Sequence, residues 1–341
     1  SPLEARAVER AAAPGFTLTR LLLIGGLALF VFLIWRSGPH LIHMFLWKVG
    51  WALPLVFLPH GFVTAFEASG WWYAFPGKGC PIKFVEILRF TVAAKAVQHM
   101  TPSISQAGEL LKIHLLRLTG MSPDIGTVSV IAAKTTVTLA ELLFIGIGLA
   151  VAFSYIPVEP LLAISASAGV LIMCLAVIAL LAWQRTGFFR LLTNAGKRVR
   201  ILASFLNRYE DFFDSTDRLL QEYIGDGRRF CLSWLGYFSG WTAGTLEAWL
   251  FLTILGLPND PGSALLIQAW LVLVTRLTAF VPANLGTHEA GAVMIFSLLG
   301  LGADGAMAFA LLRRVRQIGW IALGLAILAK APRARVSLTI G

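Results

Sequence analysis

Five glutamates, Glu67, Glu109, Glu141, Glu247 and Glu289, lie inside strongly apolar stretches of this chain. Six basic residues, Lys95, Lys134, Arg276, Arg313, Arg314 and Arg316, share those stretches. A carboxylate kept from water can bind a cationic group or take up a proton, because burial raises its pKa. An arginine in the same setting can grip a phosphate through its planar fork, and a lysine can hold one as a point charge. Split by sign, Glu109, Glu289, Glu67 and Glu247 are candidates for substrate binding or proton coupling, and Lys134, Arg276 and Arg314 for contacts to a headgroup phosphate. A structural reading stands beside this one, in which Glu67, Glu247, Lys134 and Arg314 pair only to hold two halves of the protein together.

Two of the glutamates sit beside helix-breaking residues. In "TPSISQAGE" (101–109) and "VPANLGTHE" (281–289) a proline is followed seven residues later by glutamate. Pro102 and Pro282 would break a helix, and Gly108 and Gly286 would let backbone approach closely. His288 could relay protons near neutral pH or hydrogen-bond a neighbouring segment. His60 and His99 are weaker candidates, and Arg313 and Arg316 could either face inward or snorkel to the membrane surface.

The surrounding composition says what must position these groups. Of 341 residues, 57% are hydrophobic and 13% charged, with a mean hydropathy of +0.76. A soluble domain carries roughly 25% charged residues, so an all-α, polytopic membrane protein is expected. Net charge is +10, but the basic residues cluster beside apolar spans, as cytoplasmic flanks do, which argues against nucleic acid as partner. Cys80, Cys174 and Cys231 show no metal-ligand or disulfide spacing. No GxSxG, HExxH or Gly-rich phosphate loop is present, so no enzyme activity, metal or cofactor is expected.

Apolar runs long enough to cross a bilayer cover 17–36, 49–74, 127–154, 159–183, 229–256 and 305–329, about six transmembrane helices. The stretch 184–228 has helical apolar spacing with a charged opposite face, which suits an amphipathic helix on the cytoplasmic surface; a solvated helical hairpin is the alternative. Basic residues at Arg6, Arg10 and Arg20, at Lys78, Lys83 and Arg89, through 185–229, and at Lys330, Arg333 and Arg335 mark one side of the membrane. Placing all of them inside puts both termini in the cytoplasm. It also makes 84–118 and 263–300 re-entrant hairpins, which are tolerated only where their backbone faces protein or a water-filled cavity.

Displaced by 180 positions, the chain matches itself without a gap. Glu67 meets Glu247, Pro102 meets Pro282, Glu109 meets Glu289, Asp124 meets Asp304, and Lys134 meets Arg314. Acidic residues are rare in both halves, so an internal duplication is the better reading. The topology gives the copies opposite orientation, the inverted-repeat plan of secondary transporters, with a binding site near the midplane. The expected organisation is a cytoplasmic segment 1–16, a first repeat 17–154 with hairpin 84–118, and a helix 155–183 opening the second repeat. The surface insertion 184–228 follows, and then 229–334 with hairpin 263–300.

"GELLKIHLL" (108–116), "PANLGTHEAG" (282–291) and "SLLGLGADGAMAFALLRRV" (297–315) resemble the two signature regions of the flippase-like family, also named for the transmembrane region of lysylphosphatidylglycerol synthase. Gly108 and Glu109 match the first region, and Pro282, Gly286 and Glu289 the second. The resemblance implies a multi-pass protein of the bacterial inner membrane that moves a lipid, or assists its movement, between leaflets. A free-standing member of the hopanoid-associated branch is the expected type. No soluble domain is expected after residue 341, and with it no aminoacyl transfer. The leading expectation is a flippase working by alternating access. The alternatives are an intramembrane lipid-modifying enzyme with paired glutamates as acid and base, and a scaffold that delivers lipid to a partner synthase.

Overall fold

Two helix starts in this chain are set by a capping aspartate. Asp226 accepts a hydrogen bond from the Arg229 backbone N–H at 3.1 Å, and Asp260 one from Ser263 at 2.9 Å with Pro261 next in line. Both are N-caps of the usual kind, the second with proline at the first helical position. Gly256 takes φ +66° and turns its N–H back to the preceding turn, closing the helix that Asp226 opened.

The computed structural model describes residues 50–101, 106–155, 160–185, 210–281 and 284–330. The first span 17–36 with the segment 1–16, the prolines Pro102 and Pro282, and residues 186–209 of the surface insertion lie outside the described residues. A short 3-10 turn, Gly50–Ala52, leads into ten helices: α1 (Leu53–Tyr73), α2 (Phe84–Met100), α3 (Ala107–Leu118), α4 (Pro123–Tyr155), α5 (Pro160–Arg185), α6 (Glu210–Gly225), α7 (Gly227–Leu255), α8 (Pro261–Leu277), α9 (Thr287–Leu298) and α10 (Ala303–Lys330). All regular structure among the described residues is helical.

Among the described residues two stretches combine the length and apolarity of a membrane crossing, α4 and Ser167–Arg185 within α5. The latter is almost unburied by protein and turns Leu171, Ile172, Met173, Leu175 and Ile178 outward. So large an apolar face suits hydrocarbon, not water. α7 and α10 have 29 and 28 residues but carry Glu247 and the arginines of interest, and are correspondingly less apolar; α1 has 21 residues and one glutamate, Glu67.

The proline-centred stretches are each a pair of helices around a break. α2 packs on α3, and α8 on α9. α3 and α9 begin 180 residues apart, as do α4 and α10. The packing also falls into matched contacts: α1 crosses α7, α2 lies on α10, and α4 lies on α8. Small residues let these backbones meet, as is usual between membrane helices. A Cβ on Gly236 would stand 2.7 Å from the Gly70 nitrogen, and one on Gly324 would stand 2.7 Å from the Val92 carbonyl oxygen. Ser233 adds a hydrogen bond to the Gly70 carbonyl at 2.7 Å.

One apolar core joins α7, α8, α9 and α10 around Phe251, Phe296 and Phe309. Another joins α1 to α4, α6 and α7 around Trp71, Phe75 and Ile87. Amphipathic α6 is part of that second core. It buries Leu220, Tyr223 and Ile224, and the Tyr223 hydroxyl meets Thr136 Oγ1 of α4 at 2.9 Å.

Candidate functional site

Between the two cores the helices do not close, and the space left is polar. A cavity of about 340 Å3 is lined by side chains from every described helix except α5 and α6. Its basic lining is Lys95, Lys112, Lys134, Arg276, Arg313, Arg314 and Arg316. Glu67 and Glu109 reach it, as do His60, His99 and His288 and the amides Gln98, Gln268, Asn284 and Gln317. Ionisable residues in a membrane span belong on such an interior surface, because lipid gives them no partner.

The carboxylates are held in ion pairs, most of them between helices. Glu67 of α1 pairs with Lys95 of α2. Glu141 of α4 receives Arg276 of α8 in a two-pronged contact, one prong being Nη2 to Oε2 at 2.6 Å. Glu247 of α7 pairs with Arg316 of α10 and lies 3.3 Å from His60 Nδ1. Glu109 and Lys112, at 3.0 Å, sit one turn apart on α3. The fifth carboxylate, Glu289, is fully buried and has both oxygens engaged. Oε2 accepts the Gly286 N–H at 2.8 Å, and Oε1 accepts Arg314 Nε at 2.7 Å. The backward reach to Gly286 caps α9, in the manner of the acidic member of a capping box.

The break between α8 and α9 is built from its own polar residues. Asn284 takes φ +49°, a left-handed conformation that asparagine tolerates better than most residues. Its side-chain oxygen accepts from Thr278 Oγ1 at 2.9 Å, and its carbonyl accepts Arg314 Nη2 at 3.2 Å. Gly286 follows at φ +77°, which explains the glycine. Arg314 goes on to Gln317 at 3.0 Å, whose amide lies 3.1 Å from His99 of α2. A single chain of contacts therefore ties the α9 cap to α10 and α2.

The sequence candidates thus separate into groups. Glu67, Glu109, Lys134, Arg276, Arg314 and His288 face one cavity. Glu247 and Glu289 stand behind it, buried and paired with its arginines. Gly108 is a packing residue, since any Cβ there would lie 2.6 Å from the Ala94 carbonyl oxygen. Pro102 and Pro282 lie outside the described residues. Arg313 and Arg316, for which snorkelling was an open reading, turn inward instead: Arg313 bonds Gln268 and approaches His288 Nε2 at 3.4 Å. Sequence reasoning passed over Lys112, Gln268 and Gln317. Lys112 was findable as the i+3 neighbour of Glu109 on a helix, and the glutamines as amides stranded in apolar helices.

Among the described residues, Lys134 and Arg313 have no carboxylate within ion-pair distance. Arg313 rests over the Phe309 ring at 5.1 Å, and its Nε is buried without a hydrogen-bond partner.

Comparison with known proteins gives one finding. The family model described as the lysylphosphatidylglycerol synthase TM region matches residues 18–326. No curated protein and no solved structure matches the chain.

Proposed function

The chain belongs to the family of the lysylphosphatidylglycerol synthase TM region, and from that premise we propose that it is a lipid transporter. It moves a phospholipid, or a related polar-headed lipid, between the leaflets of the bacterial inner membrane by alternating access. The observation that carries this reading is the charged cavity enclosed by the helices of a membrane protein. Such a space admits a headgroup that could not otherwise cross hydrocarbon, and at about 340 Å3 it leaves the tails in the bilayer.

An inverted repeat of about six transmembrane helices and two re-entrant hairpins is part of the proposal. The helix starts that recur 180 residues apart support it, and so do the matched contacts α2 on α10 and α4 on α8. Two halves interleaved in this way can rock about the α1–α7 crossing and open the cavity to either side in turn. The clustering of basic residues on one set of flanks supports cytoplasmic termini. All five glutamates already have a basic partner, which favours transport over acid–base chemistry by a free pair of carboxylates.

The test is headgroup movement in proteoliposomes, with bacterial phospholipids first and hopanoid-type lipids next. Wild-type protein is expected to move at least one of them faster than protein-free vesicles. Glu109→Gln is expected to slow that movement about tenfold or more, one such factor corresponding to ~1.4 kcal/mol at the barrier. Rates equal to protein-free vesicles for every lipid would sink the proposal.

A further inference from the structure

The charge balance of the cavity is not neutral. Among the described residues seven basic side chains line it, against five carboxylates that line it or stand directly behind it, which leaves an excess of two positive charges. The excess falls on named residues, because every carboxylate is already paired and Lys134 and Arg313 are the two cations left over among the described residues. The undescribed stretches 102–105 and 282–283 contain no acidic residue that could balance them. Lys134 comes from α4 and Arg313 from α10, so each matched helix contributes one. Arg313 is held in place by neutral groups, Gln268, His288 and the Phe309 ring, and keeps a buried donor unused at Nε.

Uncompensated cations in a medium of low dielectric are costly, and an anion that enters between them removes that cost. Resting on the transport reading above, we propose that the headgroup taken into the cavity carries two negative charges, as a phosphate monoester or diphosphate lipid does, with Lys134 and Arg313 as its receiving side chains. A guanidinium and an ammonium are the two groups that bind phosphate oxygens best, one as a fork and one as a point charge. A cationic headgroup would meet the same excess of charge as repulsion. The reading also revises the sequence-based choice of phosphate contacts: Arg276 and Arg314 are occupied by Glu141 and Glu289, so Lys134 is kept and Arg313 joins it.

The experiment uses the purified full chain in detergent at about pH 8, where a phosphate monoester is doubly charged because its second pKa is near 6. Thermal stabilisation is titrated with short-chain lipids of identical tails and different headgroups. The series comprises phosphatidic acid, phosphatidylglycerol, phosphatidylethanolamine and lysylphosphatidylglycerol, with inorganic phosphate and pyrophosphate as free-anion arms. Phosphatidic acid is expected to bind about tenfold or more tighter than phosphatidylglycerol, and the cationic lipid weakest. Lys134→Gln and Arg313→Gln are each expected to weaken phosphatidic acid binding about tenfold, while Lys134→Arg and Arg313→Lys retain most of it. The ligand-free melting temperature of each variant is recorded first. If a glutamine variant does not fold, the headgroup series on the wild type and the charge-conserving variants decide.

Equal affinity for phosphatidic acid and phosphatidylglycerol, or a preference for the cationic lipid, overturns the assignment. Inorganic phosphate or pyrophosphate binding as tightly as the lipid would make this a free-anion site and overturn it as well. Failure here is separable from failure of transport. Movement of lipid in vesicles without dianion selectivity rejects only this inference, whereas selective binding without movement rejects only the transporter.

Discussion

Glu109 and Glu289 occupy matching places in the chain, yet their side chains are held very differently. Glu289 is fully buried, caps α9 through Gly286 and pairs with Arg314 across helices. Glu109 sits at the cavity surface with a partner one turn away on its own helix. Removing one member of a buried pair strands the other, at a cost of about 3–5 kcal/mol, whereas an intrahelical pair contributes about 0.2–0.5 kcal/mol. Glu289→Gln is therefore expected to lower the thermal stability of the purified protein strongly, and Glu109→Gln hardly at all. Differential scanning in detergent checks this; equal shifts for the two variants would contradict the placement of Glu289. Transport lost in a stable Glu109→Gln protein then reports on mechanism, and loss in Glu289→Gln reports mainly on folding.

At the scale of the element, contact between backbones decides which helices can slide and which cannot. Gly236 faces the Gly70 backbone nitrogen, an atom that cannot rotate away. Gly236→Val is expected to cost about 1–3 kcal/mol through overpacking of the α1–α7 crossing. Gly61→Ala, whose new Cβ would meet only the Trp320 ring at 3.7 Å, should leave the melting temperature nearly unchanged; a similar loss in both would argue against the crossing as described. Amphipathic α6 is likewise committed. Its apolar face is spent on α4, α5 and α7, and the Arg185 side chain donates to the Ile224 carbonyl at 3.3 Å. As a docking element for a partner synthase, it has only its polar face to offer. Tyr223→Phe removes the bond to Thr136 and should destabilise by about 1 kcal/mol. Deleting 210–225 should lower the yield of folded protein, so full recovery of stable, lipid-binding protein after that deletion would show α6 to be an independent appendage.

At the scale of the whole molecule, the N-terminal and C-terminal halves are interleaved, because α1 meets α7, α2 meets α10 and α4 meets α8. Fragments cut between Tyr155 and Pro160 should therefore be unstable alone but copurify when coexpressed, as a pull-down through a tag on either fragment would register. A stable, monodisperse N-terminal fragment on its own would contradict the interleaving. This arrangement explains what the sequence could and could not reveal. The 180-residue offset was visible because glutamates are rare in apolar sequence and keep their positions. The helix break at Gly286 was visible because glycine carries a local signal, whereas Gly108 lies within α3 as a packing residue. Partner choice was not visible: Glu141 and Arg276 are 135 residues apart, and only tertiary packing puts them together. The carboxylate partners of Arg276 and Arg314, and the lack of one at Lys134 and Arg313 among the described residues, follow from that packing alone. The three arginines of α10 have one more consequence, for biogenesis. Each guanidinium adds about 2.5–3.5 kcal/mol to the cost of inserting a helix centre, so α10 is a poor substrate for independent partitioning from the translocon. Its counter-charges, Glu247 on α7 and Glu289 on α9, are synthesised earlier, and in the proposed topology they already stand in the membrane when α10 emerges. Assembly thus has a direction along the chain, and a nascent chain arrested before α10 would expose two unneutralised carboxylates to the quality-control proteases of the membrane.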